Sequence, residues 1–316
     1  MAIERSPRLS VVTPLFNCLD LTKAMVASLK ATMPGWMSYE VILVDDGSTD
    51  GTRDWLATLA APFRVILNER NLGFGASTNR GAAVAKGRIL AFLNNDLLLT
   101  PGWLGPMVRA LGGLGNNAGV VGNVQLNATT LEVDHTGIVV DLKGKPIHDR
   151  ELPHALSRFF MPVRRVFAAT GACMLIRADT WRSLGGFDEA YVNGCEDLDL
   201  CFRARQAGLT NVVALESRVL HHVSSSPGRK LKDEENSRRL FLRWRETLAK
   251  FGSRRWARLM FAWHLHEPRN YPEKLEAIWT ASYLARLHGV PPQRAFFASL
   301  RKIDEELAHW QEMFSD

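Results

Sequence analysis

Four short aliphatic runs dominate the first hundred residues: LSVVT (9–13), EVILV (40–44), RVIL (64–67) and RILAFL (88–93). Each stops at a polar, turn-forming cluster, and a helix-patterned stretch follows. After the first run, Leu21, Met25 and Leu29 recur at helical spacing. After the second, DDGSTDGT is a loop that feeds a helix start. After the third, NERNLGFGASTNRG leads into a small-residue helix through Ala85. Strands that alternate with helices in this way can bury both faces only as a parallel, twisted sheet with helices on either side. The expected class is therefore α/β.

Beyond about residue 119 the rhythm changes. GVVGNVQL, GIVVDL, ACMLIR and NVVAL (211–215) read as strands with shorter connections, and Glu196–Gln206 reads as a helix. A Rossmann-like half (1–118) should thus pass into a mixed half (119–226) that extends the same sheet. A polar loop over 223–236 and a helical region to residue 316 complete the expected organisation, with the boundary at 226/227.

The fourth run carries a contradiction. ILAFLNNDLLL (89–99) is apolar except for Asn94, Asn95 and Asp96. An unpaired carboxylate is too costly to bury, so the chain must reach the surface there or bring Asp96 to a cation. In open α/β sheets, ligands bind beyond the carboxyl ends of the strands. Thr13, Asn17, Asp45, Asp46, Asn71 and Asp96 all fall at or just past such ends and should share one rim. Some of the polar residues in these loops, Ser48 and Asp50 among them, are ordinary turn formers or caps. Neither GxGxxG after the first strand nor GxxxxGK[ST] anywhere is present, so phosphates need another device. A divalent cation on Asp96, shared with diphosphate oxygens and water, meets that need.

Two further clusters carry chemistry. In GGFDEAYVNGCEDLDLCFRARQAG (185–208), Glu196 and Asp199 share a helix face with Arg203 one turn on, and Asp197 points elsewhere. Asp199 fits a structural role at a helix start, whereas Asp197 is the candidate base. In LHHVSSS (220–226), paired histidines at a strand end are either a metal ligand or ordinary surface residues, and spacing leaves the two readings balanced. His135, beside Asp134, reads as a structural histidine.

Charge is concentrated. The chain is +6 overall, yet 227–258 alone carries eleven basic residues against four acids. That stretch is +7, and the remainder is −1. A nucleic-acid binder with a broad basic face is thereby disfavoured, and no nucleic-acid module is recognisable. Within the stretch, Leu240, Trp244, Leu248 and Phe251 form one face, with Arg238, Arg239, Arg243 and Lys250 mostly off it. Packing against the rest of the chain and contact with a membrane surface both fit such a pattern. The N-terminal MAIERSPRLS shows no secretory apolar core, no run is long enough to span a bilayer, and four cysteines form no CxxC pair. A cytoplasmic setting with free thiols is expected.

Taken in order, VVTPLFN (11–17), VILVDDGSTDGT (41–52), NLGFGASTNRG (71–81), FLNND (92–96), TGACMLIR (170–177), GGFDE (185–189), EDLDLCFR (196–203) and HHVSSS (221–226) resemble the family 2 glycosyltransferases of GT-A fold, and within them the bacterial rhamnosyltransferase-like branch. The resemblance implies inverting transfer of a sugar from a nucleoside-diphosphate donor, dTDP-rhamnose first and UDP-sugars second, to a hydroxyl of a glycan or lipid-linked glycan acceptor in surface polysaccharide (O-antigen) synthesis. It implies Thr13, Pro14 and Asn17 beside the base, Asp46 bonded to it, and Asn71 with Gly73 along the nucleotide. It places Asn94 and Asn95 at the ribose side, and Asp96 on a Mg2+ or Mn2+ ion. Asp197 becomes the base, His221 a second metal or diphosphate contact with His222 as the alternative, and Glu196 and Asp199 supporting residues. Arg229, Lys230 and Lys232 are candidates for a lid over the donor, or else a solvated basic loop. The triplet departs from Asp-x-Asp: Asn94 can hydrogen-bond a ribose hydroxyl but lacks the charge that strengthens metal binding. The competing readings are a non-catalytic sugar-nucleotide-binding scaffold of the same fold and, less well supported by the second and third clusters, a nucleotidyltransferase.

Overall fold

The computed structural model describes residues 7–222, 232–266 and 274–314. They fall into two compact units: residues 7–138 with 148–236, and 139–147 with 237–314.

The first unit is built as the alternation requires. Strands β1 (Leu9–Leu15), β2 (Tyr39–Asp45), β3 (Phe63–Leu67) and β4 (Ile89–Leu93) pair in parallel in the order β4-β1-β2-β3. Between them run helices α1 (Leu19–Thr32), α2 (Thr52–Leu56) and α3 (Phe74–Ala83). Leu15 lies level with Asp45, and Asp45 with Leu67, so these strands end along one rim. Gly81 of α3 lets the helix close on the sheet, since a Cβ there would come within 2.4 Å of Val12.

After the short β5 (Leu97–Leu99) and α4 (Leu104–Leu114), the sheet is extended by β6 (Ala118–Asn127) and the edge strand β7 (Val133–His135). A hairpin of β8 (Ile138–Val140) and β9 (Pro146–His148) and the helix α5 (Ala155–Phe160) lead to β10 (Val163–Val166) and β11 (Cys173–Arg177). Helices α6 (Ala178–Leu184) and α7 (Glu196–Gln206) precede β12 (Thr210–His221). The complete order is β10-β12-β6-β11-β4-β1-β2-β3, with β5 on β12 and β7 on β6. The sheet is mixed because β11 runs antiparallel to both β4 and β6. That reversal brings the chain entering β11 to the rim where β4 ends. The apolar core between the sheet and α1 and α4 includes Val11, Met25, Leu29, Trp103 and Met107.

Two expectations differ from the structure. GIVVDL does not join the main sheet: it forms the separate two-stranded hairpin, and 139–147 cluster with the second unit rather than the acceptor half. NVVAL is only the first part of a twelve-residue strand that reaches His221, because a register shift after Ala214 lets β12 continue beside β6.

The second unit holds most of α8 (Asp233–His266), together with α9 (Lys274–Leu284) and α10 (Gln293–Met313). Trp244 interrupts α8 with φ −117° and ψ 22°. Leu240, Trp244 and Leu248 are buried, as packing of the apolar face requires. Phe241 meets Trp310 edge-on at 4.9 Å, and Arg245 forks onto Asp304 at 2.6 Å. No described helix is long and apolar enough to cross a membrane.

Candidate active site

The loop after β1 and the loop after β2 are tied to each other. Asn17 adopts φ +53°, which Asn tolerates better than most residues. Its amide donates to Ser48 Oγ at 2.8 Å, and its side-chain oxygen accepts from the Thr49 amide at 2.8 Å. Asp45 is fully buried and accepts from Arg53 Nε at 2.7 Å. Asp46 accepts from Asn68 Nδ2 and the Leu72 amide at 2.8 Å each, and from the Gly73 amide at 2.9 Å. A carboxylate offers about four acceptor positions, so three of those on Asp46 already hold the 68–73 loop.

Three residues expected at the nucleotide are buried or turned inward. Thr13 is fully buried within β1, on the strand face that also carries Val11 and Leu15, and its hydroxyl has no hydrogen-bond partner. Pro14 is buried beside it. Asn95 turns inward, donating to Thr22 Oγ1 at 3.0 Å and weakly to the Asn17 carbonyl at 3.5 Å. All seven residues of β1 are buried, because helices cover both faces of a parallel sheet. Asn71 is exposed, and its side chain accepts from the Gly73 amide at 3.1 Å. Gly73 has φ +91°, a conformation natural to glycine.

Asp96 and His221 come together from opposite halves of the sheet. β12 pairs with β5 so that His221 lies level with Leu97, and the His222 amide donates to the Asp96 carbonyl at 3.0 Å. His221 is therefore the histidine that faces the carboxylate: its Nε2 is 3.3 Å from Asp96 Oδ1, and both side chains are about 95% buried. The approach lacks hydrogen-bond alignment, leaving Asp96 Oδ1 and both ring nitrogens of His221 without partners. Buried polar groups are rarely left so. An oxygen donor and a nitrogen donor, both orphaned and in reach of one point, fit a divalent cation. Among the described residues no three metal-ligating side chains gather, so further ligands would have to come from elsewhere.

The second carboxylate site lies across the Asn94 peptide. The Asn94 amide donates to the Ala172 carbonyl at 2.8 Å, just before β11. One residue earlier, the Gly171 amide donates to Asp197 Oδ2 at 2.7 Å, and Asp197 Oδ1 accepts from the Leu198 amide at 2.7 Å. A side chain at 171 would press on Asp197 Cβ at 3.3 Å. Of the three acids in EDLD, Asp197 alone is partly exposed, while Glu196 and Asp199 are buried. Asp199 binds Arg203 Nε at 2.7 Å, and Arg203 also donates to the carbonyls of Leu184 and Gly186. Asp199 thus anchors α7 to the turn after α6, as its place in the helix suggests.

Other side chains at the site gave weak signals in the sequence. Asn193, at φ +58°, accepts from the Phe74 amide at 2.9 Å and fixes the start of α3; only an Asn-Gly pair hinted at it. Gln125 of β6 has both side-chain atoms buried without partners, and Asp134 Oδ2 lies 3.5 Å from His148 Nδ1. Gln125 showed the same signal as Asp96, a polar residue inside an apolar run. His135 is fully buried, accepts from the Thr170 amide at 3.4 Å, and is held well below the ordinary histidine pKa by burial. Burial pushes the Cys201 thiol up to about 12 and raises Cys173 and Cys195 as well, so these thiols are poor nucleophiles. Lys232 pairs with Glu235 at 2.9 Å on the exposed start of α8. Arg229 and Lys230 lie outside the described residues.

Comparison with known proteins bears on the family and the fold. Residues 10–180 match the model of glycosyl transferase family 2. The chain is 32% identical over 232 residues to the O-antigen biosynthesis protein RfbC of Myxococcus xanthus, covering 71% of this chain but only 18% of that one. It is 30% identical over 213 residues to the N-acetylglucosaminyl-diphospho-decaprenol L-rhamnosyltransferase of Mycobacterium tuberculosis, covering 60% of this chain and 68% of the relative. In fold it is similar to GalNAc-T7, solved with UDP, GalNAc and Mn2+, at a TM-score of 0.61 and 20% identity over 81% of this chain and 52% of that one. With a family model matched over more than half its length and the GT-A arrangement in its sheet, the chain belongs to glycosyl transferase family 2.

Proposed function

We propose that this chain is an inverting glycosyltransferase. It moves a sugar, rhamnose first among the candidates, from a nucleoside diphosphate to a hydroxyl of a glycan or lipid-linked glycan. The donor is dTDP-rhamnose, with UDP-sugars as the alternative, and the setting is bacterial surface polysaccharide synthesis at the cytoplasmic side of the inner membrane. The similarity to an O-antigen biosynthesis protein and to an L-rhamnosyltransferase supports the sugar and the polysaccharide pathway. One observation carries the chemistry: the half-open Asp197 holds the Gly171 amide, the next residue, Ala172, accepts from the Asn94 amide, and Asn94 lies two residues before Asp96 of the orphaned Asp96–His221 pair.

In this reading Asp197 is the general base. Two backbone amides hold its oxygens, fixing the plane of the carboxylate and leaving each oxygen a second acceptor position. The acceptor hydroxyl gives its proton to Asp197 as its oxygen bonds to the anomeric carbon. The bond from that carbon to the diphosphate oxygen breaks on the opposite face, so configuration inverts. Asp96 and His221 would hold Mg2+ or Mn2+, whose chemistry is neutralisation of charge on the departing diphosphate. Asp46 and Asn17 keep the loops of the nucleotide rim in place, and this preorganisation does part of the work of alignment.

Asp197→Asn is the decisive variant. It keeps the size of the side chain and an acceptor oxygen but removes the base. Transfer should fall by about a hundredfold or more, while nucleotide binding with Mn2+, followed by calorimetry, should change little. Turnover near that of the parent would remove Asp197 from this role.

A further inference from the structure

TGACMLIR (170–177) is only half explained by the rim. Its first residues meet Asn94 and Asp197, but it ends on Arg177, at the other end of β11. There β1, β4 and β11 lie side by side: Leu9 is level with Ile89, and Ile89 with Arg177. Arg8 and Arg88 immediately precede β1 and β4. The three arginines line one cavity of about 550 Å³, walled on its apolar side by Ile89 and by Val108 and Leu111 of α4. Among the described residues no acidic side chain lines it.

Arginine stays protonated at any working pH, so this cavity gathers three positive charges with no counter-charge in its wall. Among the described residues, none of the three side chains enters an ion pair. A guanidinium fork matches the oxygens of a phosphoryl group two at a time. Three forks around one space favour a multiply charged anion over a singly charged one, and the apolar wall leaves room for the carbon-bearing part of an ester.

We propose that this cavity binds a phosphoryl group, as a phosphomonoester or diphosphate, at a site separate from the carboxyl rim. At ~3.3 Å per residue, the strands β1 and β4 separate the two by roughly 15 Å or more, so the anion bound here does not touch the reacting sugar. The proposal does not depend on the glycosyl-transfer reading. Two sources share this chemistry: a soluble phosphate ester and the headgroup of an anionic lipid.

The test uses the full chain in EDTA, which quiets any cation-dependent binding at Asp96. Inorganic phosphate, pyrophosphate and glycerol 3-phosphate are titrated at constant ionic strength, with thermal unfolding and calorimetry as readouts. Saturable binding and a matching rise in melting temperature are expected. Arg88→Gln, an exposed position, and Arg177→Lys, which keeps the charge but loses the fork, should each weaken binding by about tenfold. Asp96→Asn should leave the affinity unchanged. Sedimentation with phosphatidic acid vesicles that is lost in Arg88→Gln assigns the site to a lipid headgroup; soluble esters binding without vesicle association assigns it to a soluble ligand. The proposal is overturned if no phosphate, ester or vesicle binds saturably. It is equally overturned if binding survives both arginine variants or disappears in Asp96→Asn.

Discussion

Asp197 differs from its neighbours in a respect that the letters EDLD do not display. It is partly open to solvent and held by two backbone amides, whereas Asp199 is buried on Arg203. Helical phase accounts for these different surroundings, because a turn of 3.6 residues decides which carboxylates share a face. Asp46 and Asn95 show the opposite case. Each was legible as a polar residue at a strand end, but its partners, the 68–73 loop and Thr22, come from other parts of the chain. His135 leads to a pH prediction. Its folded-state pKa is depressed by burial first and by neighbouring His148 next, while an unfolded histidine titrates near ~6.5. Below that value the unfolded chain takes up a proton that the folded chain refuses, so stability is fully present above about pH 6.5 and falls with decreasing pH. Asp134, also depressed, chiefly by the hydrogen bond from His148, adds its loss only in the carboxylate range, below about pH 4. Thermal unfolding followed from pH 7 to pH 5 should show a falling midpoint, and His135→Gln should flatten that slope. An unchanged slope in the variant would assign the acid sensitivity to other groups.

At the scale of elements, the antiparallel course of β11 does the assembling. A parallel strand in that place would enter at the far end of the sheet and leave Gly171 and Ala172 away from Asp197 and Asn94. β12 acts in the same way through its length, carrying His221 to β5. The apolar runs ACMLIR and NVVAL identified both strands, but strand direction and the register shift in β12 depend on pairing, which periodicity does not encode. Helix α7 starts at Cys195, a non-glycine residue at φ +71° without a side-chain cap, so its placement depends on other bonds. The Asp199–Arg203 pair and the donation of Arg203 to Leu184 and Gly186 supply them. Asp199 is fully buried and the Arg203 side chain 15% exposed, so solvent screens the pair little. Asp199→Asn should therefore destabilise the first unit by on the order of 3 kcal/mol, because it strands a buried guanidinium. Urea unfolding would measure this as a lower midpoint, and a shift under a few tenths of that size would show that the pair is dispensable.

At the scale of the whole molecule, the basic stretch is where composition and structure must be read together. Leu240, Trp244 and Leu248 are buried, while Arg238, Arg239, Arg243 and Lys250 are exposed. The face formed by these three residues is thus already engaged, while Leu242, Leu259 and Trp263 of the same helix stay exposed beside the basic side chains. Flotation with anionic liposomes is expected at low ionic strength and should be lost near roughly 0.15 M salt, where the Debye length is about 8 Å. Association that persists in salt would require apolar insertion instead. By itself the sequence determined the alternation of strand and helix, the rim on which Asn17, Asp46 and Asp96 gather, and the helix that presents Asp197, because each follows from local periodicity and turn chemistry. Only the tertiary structure decided which histidine faces Asp96, that Thr13 is buried within β1, that 139–147 join the second unit, and that three arginines at the ends of separate strands line one cavity. Those outcomes rest on strand register and direction, which are settled when distant segments bury their apolar faces together.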